Sequence, residues 1–534
     1  TCEKNKKIRV AVVGGGMAGL CAAWLLSIQE EYEVTLFEEL ETPGLAHASV
    51  PLVASKRAKG MHNNVEENDE QPYFQRACSS SLTKPIVVDV PQRYFVQDYY
   101  PVLTELYGFL DIPSCRVSSP TSLHLLKEGR PQNTPYFRYD NLLLGGYSFP
   151  YISPFQLFSP TTWTILLDFW RFKRSIRRHL STGSIDGLSL GEYLSKERFS
   201  DVFVNQLIAP LFAVVCTCSC AQVLAYPANV IAEWMSCTAP NASKFRSTHR
   251  RVIGGVKKVV DTLSSHIDHI HCHTRVSNIR TVLNDKDDVE CVQLTASRTI
   301  NGQRSDDDDD DECSSSTSQA HHSETTTSIE TFDHVILATP ANISLRLLHT
   351  VSKQQKELLG CFDYVKTNVV LHTDEQLMPS DRRNWNSMMF SLNEEKTQCM
   401  ATLWQNSIQK ELDHAHNVFQ TWNPRIPVSR KKVISESWFD RPLVTPHSLN
   451  QIKKLPSIQG QGNIWYCGSY SLPGIPLLES AAESGLKIAQ ALSNCEIPFR
   501  IAARKTRNDL KREFQRYQQT TFFKKMLNLI GSSV

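Results

Sequence analysis

The sequence lacks any apolar run of about 18 residues, so no segment reads as a membrane-spanning helix. It also lacks a surplus of charge. Lys and Arg number 57 against 55 Asp and Glu, a formal net charge of +2, and no global field calls for nucleic acid or another polyanion. No CxxC pair occurs. The 15 cysteines are odd in number, with Cys115, Cys237, Cys361 and Cys399 solitary, so the chain reads as carrying mostly reduced thiols. That points to an intracellular setting, cytoplasmic or peripheral on an intracellular membrane. Cys216, Cys218 and Cys220 alternate in CTCSC and on a strand would share one face, yet no second Cys/His pair completes a metal site. The N-terminal TCEKNKK leads straight into a strand without a signal-peptide core. At 534 residues and 41% hydrophobic, the chain is long enough for two or more interlocked domains.

Residues 8–16, IRVAVVGGG, are an apolar strand running into glycines. MAGLCAAWLLSIQ continues as an apolar helix and YEVTLFEE as a second strand, the spacing of a βαβ unit. Gly14, Gly16 and Gly19 form GxGxxG. The first glycine makes the turn, the second lets backbone approach a pyrophosphate, and the third lets the helix lie close to the sheet. The helix N-terminus then offers free N–H groups to phosphate. Glu38 closes the second strand, 19 residues after Gly19, where a carboxylate accepts the hydroxyls of an adenosine ribose and repels a 2′-phosphate. This predicts a dinucleotide site that disfavours NADP, without separating FAD from NAD.

Further along, KPIVVDV and SSPTSLHLL read as strands, and DYYPVLTELYGFLDI as an apolar-faced helix. Residues 159–180 begin with Ser/Pro start signals, have an apolar body and end in basic residues, as a dipole-matched helix does. With SLGEYLSKERFSDVFVNQLIAPLFAVV they predict a mostly helical cap. GGVKKVVDTLSSHI predicts a helix with Val256, Val259, Val260 and Leu263 on one side. Six aspartates and a Ser/Thr tract follow, too polar for a core and without the glycine turn of a calcium loop. FDHVILATP then reads as one buried strand returning to the first sheet. TNVVLHTD, NWNSMMFS, QCMATLWQNSI and KVISESWF predict an antiparallel sheet walling a cavity.

Near the C-terminus, NIWYCGSYSLPGIPLLESAAESG is a strand, a glycine turn and a small-residue helix. With the N-terminal motif and the ATP strand, it resembles the two-dinucleotide-binding-domain flavoproteins of the amine-oxidase-like superfamily, which include amine oxidases, phytoene desaturases and protoporphyrinogen oxidase. IRVAVVGGGMAGLCAAWLL, LLDFWRFKRS, DGLSLGEYL, ATLWQNSIQ, FQTWNP and SIQGQGNIWYCGSY look like a subgroup described as predicted NAD/FAD-binding proteins, over residues 8–492 without the acidic insert. The resemblance implies an α/β fold with a Rossmann-like FAD domain, a mixed-sheet substrate domain and a helical cap. Its parts are the FAD domain over 8–60, 250–300 and 330–348, with the C-terminal motif over 456–495. A substrate and cap region spans 85–245 and the rest of the substrate domain 349–455. A disordered acidic insert at 301–329 and a basic amphipathic tail at 496–534 complete the chain.

The same resemblance implies that the cofactor is FAD. Gly14, Gly15, Gly16, Ala18 and Gly19 would line the pyrophosphate and Glu38 the ribose. Val276 would bracket adenine, Gly468 and Ser469 would approach the ribityl chain, and Gly254 and Gly255 match the subgroup's glycine pair. In the flavin loop, Gly44 is kept, but GLAHAS stands where the subgroup has GGHAHT, so Leu45 replaces a glycine and His47 is shifted. GIPLLES likewise stands in place of GFHEDG.

No thiol pair accompanies the flavin motif, so hydride transfer at carbon is expected rather than disulfide exchange. His47 is the candidate base, since imidazole titrates near working pH, and Tyr470 borders the flavin or acts in catalysis. No metal is expected. The substrate reading is a fatty-acyl or other apolar small molecule, desaturated or isomerised. An amine or polyamine oxidase and a non-catalytic FAD-binding scaffold stand as alternatives. The tail, with Phe514, Phe522, Phe523, Met526, Leu527 and Ile530 among lysines and arginines, is expected to touch a membrane peripherally or to pack on its own domain.

Overall fold

β-Branched residues make Ile8–Val13 (β1) a strand, and the helix after its glycine turn, Met17–Ser27 (α1), has ten of its eleven residues buried. A helix apolar on every side is one enclosed on every side. Tyr32–Phe37 (β2) pairs parallel to β1, and His269–His271 (β3) parallel to β2. His334–Leu337 (β4) pairs with the other edge of β1, and Ile464–Tyr466 (β5) with β4, both parallel. The sheet order is therefore β3–β2–β1–β4–β5, with the helix Leu478–Ser493 (α2) following β5. This is a Rossmann-like sheet, and its strand order reverses between β1 and β4, where such sheets open a crevice for ligands. The computed structural model describes residues 6–44, 49–52, 85–117, 120–144, 147–238, 249–300, 324–412 and 417–501. His47 and the tail residues named above lie outside them.

The second sheet has nine strands among the described residues. Tyr364–His372, Met388–Leu392, Cys399–Trp404, Phe419–Trp422 and Val433–Pro442 are antiparallel neighbours; alternation predicts all but Phe419–Trp422, which enters between Cys399–Trp404 and Tyr364–His372. Met388–Leu392 also runs parallel to Thr121–Lys127, which makes the sheet mixed. Strands dominate residues 121–151 and helices dominate 160–238, so the cap is helical only in its second half. The 23-residue helix Pro160–Thr182 starts after Ser159 and ends at Gly183, whose φ of 72° is the left-handed stop that glycine accepts readily. CTCSC is no strand. It is the turn between the helices Ala209–Val215 and Cys220–Leu224, and all three thiols are buried. Burial pushes the Cys216 thiol up to about 12, so it is an inert small hydrophobe. Among the described residues no His/Cys/Asp/Glu cluster could hold a metal, and no helix is long and apolar enough to cross a membrane.

FDHVILATP departs from expectation. It divides at Asp333 between two sheets. Glu324–Phe332 is the last strand of an antiparallel meander with Thr274–Leu283 and Val289–Ile300, whereas His334–Leu337 is β4. Asp333 exchanges backbone bonds with the first sheet, its N–H donating to the Arg9 carbonyl at 2.9 Å and its carboxylate accepting the Arg9 N–H at 2.7 Å. That anchor turns the chain out of one sheet and into the other. Ile300 and Glu324 are cross-strand partners, so residues 324–329, expected as part of a disordered insert, belong instead to a strand held by backbone pairing, and residues 301–323, which connect the two strands, lie outside the described residues.

Two histidines in the second sheet carry a pH dependence. His124 lies between the Gln132 carbonyl (2.8 Å) and the Ser122 hydroxyl (3.0 Å). His372 accepts the Asp374 N–H at 3.0 Å and meets the Thr421 hydroxyl at 2.8 Å. Both rings are fully buried, and burial holds each pKa down at about 4. The unfolded chain protonates them near pH ~6.5, so between there and about pH 4 it binds protons that the folded chain refuses. Stability falls as pH drops through that window, by up to roughly 1.4 kcal/mol per pH unit for each ring. Urea midpoints across this range will show the slope, and His372→Gln, which keeps one donor and one acceptor, should reduce it by one proton.

Candidate functional site

The crevice at the β1/β4 junction is built almost wholly from backbone. Gly14 has φ 103°, and a Cβ there would lie 3.1 Å from the Ala338 carbonyl oxygen at the end of β4. Its N–H donates to the Phe37 carbonyl (2.9 Å), which ties the turn to β2. At Gly19 a Cβ would fall 1.9 Å from the Gly14 oxygen, so only glycine lets α1 lie this close to the turn. Gly16 is the opposite case. It caps α1 with φ −67° and ψ 176°, and a Cβ there would meet nothing within 4 Å. Its side faces open space.

That space is suited to an anion. The first turn of α1 carries no acidic residue and no side-chain cap. Among the described residues no acceptor takes the N–H of Gly16, Met17 or Ala18. Unsatisfied helix-start N–H groups and the helix dipole favour phosphate there.

Glu38 borders the same space and is buried. Its Oε2 accepts the Gly15 N–H at 2.8 Å and the Gly44 N–H at 3.3 Å, while Oε1 accepts the Leu40 N–H at 3.0 Å. The carboxylate thus fastens the glycine turn to the loop after β2, and Oε1 keeps acceptor capacity for a ribose hydroxyl. A Cβ on Gly44 would stand 2.6 Å from the Gly15 oxygen, so this glycine closes the loop onto the turn. Val276 is close by in the chain. The Thr274 N–H donates to the Glu38 carbonyl at 2.9 Å, which brings the start of Thr274–Leu283 to the end of β2. These groups fit the adenosine diphosphate half of a dinucleotide.

The C-terminal motif reaches the crevice from the other side. The Cys467 N–H donates to the Leu337 carbonyl (3.0 Å), and the Gly468 N–H to the Ser484 hydroxyl of α2 (3.0 Å). A Cβ on Gly485 would lie 2.1 Å from the Ala18 oxygen, so α2 crosses α1 in near backbone contact on the expected slim face. Ser469 is half-buried beside Gly468. Tyr470 is buried, with its ring centroid 5.1 Å from that of Phe362, and burial raises its pKa well above the ordinary tyrosine value. Its ring also packs over Gly468, where a Cβ would strike it at 2.7 Å. Gly254 and Gly255 stand at a different junction. Gly255, at φ 76°, starts the helix Val256–Ser264 against Asp89, whose carboxylate accepts the Val256 N–H (3.0 Å) and the Ser49 hydroxyl (2.8 Å). An open cavity of about 450 Å³ around Lys127, Arg130 and Trp385 belongs to the second sheet and touches none of these elements.

Three groups escape a reading by motif. Glu479, in the first turn of α2, is buried and accepts the Val102 and Leu103 N–H groups at 2.9 and 3.0 Å. It caps the helix Pro101–Phe109 while sitting at its own helix start, so two helix dipoles favour its charge. Arg441 donates to the Pro476 carbonyl at 2.9 Å, just before α2, and Arg93 lies close enough for the two cations to repel. Burial, then the charge of Arg441, pulls Arg93 down to about 10, and burial lowers Arg441 as well. Among the described residues neither forms an ion pair. Asp89 acts on Arg93 by charge, but its carboxylate already serves Val256 and Ser49. In sequence the signals are slight: one arginine in the aromatic run QRYF and another in WFDRP.

A model of the NAD(P)-binding Rossmann-like domain matches residues 12–76. Comparison with curated proteins finds no match. Among solved structures, a putrescine oxidase bound to putrescine is 12% identical, covers 92% of this chain and 100% of its own, and has a TM-score of 0.53. The cyclohexylamine oxidase of Brevibacterium oxydans IH-35A is 12% identical over 92% and 99% of the two chains, with a TM-score of 0.54. The CLA-producing fatty acid isomerase of P. acnes is 10% identical over 91% and 99%, with a TM-score of 0.53. Identities this low speak for the fold. The chain therefore joins a domain like the NAD(P)-binding Rossmann-like domain to a mixed sheet and helices, in the fold shared by these three solved structures.

Proposed function

We propose that this chain is an FAD-dependent oxidoreductase that moves hydride at a carbon of an apolar substrate bearing an acidic group. The observation that carries the cofactor is the open helix start at Gly16 beside Glu38. There Gly16, Met17 and Ala18 donate N–H groups to a pyrophosphate, and Glu38 takes the adenosine ribose. Gly14, Gly15 and Gly19 hold the turn in place, and Gly44 closes the neighbouring loop. Val276 flanks the adenine, and Gly468 and Ser469 stand beside the ribityl chain. When bound, FAD supplies the hydride acceptor. His47 keeps its proposed role as general base, and turnover of His47→Ala by the true substrate is its test. The packing of Tyr470 favours a supporting ring over proton transfer.

Arg93 and Arg441 support the acidic substrate group. Two partly buried cations that form no ion pair among the described residues invite an anion and repel an ammonium ion. A second reading, an amine oxidase, draws on the likeness to enzymes described with putrescine and cyclohexylamine. The fatty acid isomerase of the same fold draws the other way.

Purified protein should absorb near ~450 nm through bound flavin. Under anaerobic conditions an unsaturated fatty acid should bleach that band, or leave it oxidised while its double bond moves. Bleaching by diamines with no response to fatty acids would transfer the case to the amine reading. No flavin after reconstitution would end both.

A further inference from the structure

The helix Pro160–Thr182 and the turn before it carry an exposed face that the oxidoreductase reading does not use. Phe155 and Phe158, in the 3-10 turn Pro154–Phe158, are 84% and 86% exposed. On the helix, Trp163 and Leu167 are 48% and 59% exposed. A phenylalanine this open is unusual, and here five large apolar side chains, Leu157 among them, are exposed within 13 residues of chain. The Trp163 indole N–H is already bonded to the Leu157 carbonyl at 2.7 Å, so the ring presents its apolar edge outward.

The stripe has a second half. At 100° per residue, Arg174 and Arg178 fall on the same face as Trp163 and Leu167, two to four turns further on. Both arginines lack an ion pair among the described residues. The opposite face holds Ile165, Phe172 and Ile176, all buried in the cap. The helix has a single acidic residue, Asp168, which is buried and bonded to Arg171 and to the Ser200 N–H. The outward face is thus aromatic at one end and basic at the other, and neither the helix nor the turn before it adds an exposed acid of its own.

We propose that this face docks the protein on an anionic phospholipid surface. Phe155, Phe158, Trp163 and Leu167 enter the interface, and Arg174 and Arg178 meet headgroup phosphates. Trp163 suits the boundary between hydrocarbon and headgroups. Charge selects this occupant. A second copy presenting this same face would bring arginines and no helix carboxylate to the two arginines, whereas an anionic bilayer supplies many negative charges. The docking is independent of flavin chemistry and is measured without turnover.

The test is co-sedimentation of the full-length protein with phosphatidylcholine vesicles, with and without phosphatidylserine. Binding is expected only when phosphatidylserine is present, and it should weaken as salt rises. Phe155→Ser with Phe158→Ser should lower partitioning at least ~30-fold, since each ring removes apolar area from the interface. Arg174→Gln and Arg178→Gln should each cost about fivefold. All four positions are exposed, so melting curves and flavin content should stay as in the parent. Binding that ignores the phenylalanine pair would overturn the proposal. So would vesicle-independent self-association that the pair abolishes, which would assign the face to a second copy.

Discussion

Gly16→Val is expected to yield a folded protein without flavin. A Cβ at this position meets nothing within 4 Å, and the backbone, at φ −67° and ψ 176°, is one that valine adopts freely. The apo-protein should lose about 1 kcal/mol or less, the difference between glycine and a branched residue at a helix start. The added methyl groups, however, occupy the space into which the first N–H groups of α1 point. A pyrophosphate that needs close backbone approach is displaced, and FAD affinity should fall by at least ~100-fold, or about 2.7 kcal/mol. Gly19→Val is the contrasting variant. Its Cβ would overlap the Gly14 oxygen, so it should fail in folding and in binding alike. Flavin titration together with thermal melts distinguishes the two. Full FAD affinity in folded Gly16→Val would remove the site from this crevice.

Glu479→Ala should be among the most destabilising single changes in the chain. The carboxylate accepts two buried N–H groups of the helix Pro101–Phe109, and its loss leaves both without a partner. Each orphaned donor costs roughly 1–3 kcal/mol, and a charged acceptor strengthens the bonds that are lost. A loss of about 3–5 kcal/mol follows, a large fraction of a domain's stability. Glu479→Gln keeps one acceptor but turns an amide donor toward the other N–H, so it should recover only part. Urea denaturation of the three proteins measures this order. Equal stability of all three would mean that the helix start is satisfied in another way.

The βαβ unit was legible because three separate signals coincide in it. A β-branched strand, glycines at fixed offsets and an acid closing the next strand agree only when all belong to one structure. The strand before Asp333 was harder. An apolar run reads as one strand whether it stays in one sheet or passes between two, and the bonds to Arg9 that make the division are 324 positions away. Glu479 stood in a helix start, where an acid needs no further explanation, so its task of capping a distant helix left no local trace. Arg93 and Arg441 are legible only once the fold places them side by side. The exposed stripe was hidden by its own periodicity. Trp163 and Leu167 are four apart, as are Phe172 and Ile176, and spacing alone cannot say which of two apolar rows faces inward.

The pairing of Ile300 with Glu324 has a consequence for how this chain can change over evolutionary time. Cross-strand partners stand about 5 Å apart, so whatever joins them leaves and re-enters the fold at nearly one point. Doubling the length of such a connection adds only about 0.6 kcal/mol of closure entropy. The acidic, Ser/Thr-rich segment therefore occupies a graft site: a place where sequence can be gained, lost or exchanged for a whole domain while the meander on either side, and the return of the chain to β4, keep their register.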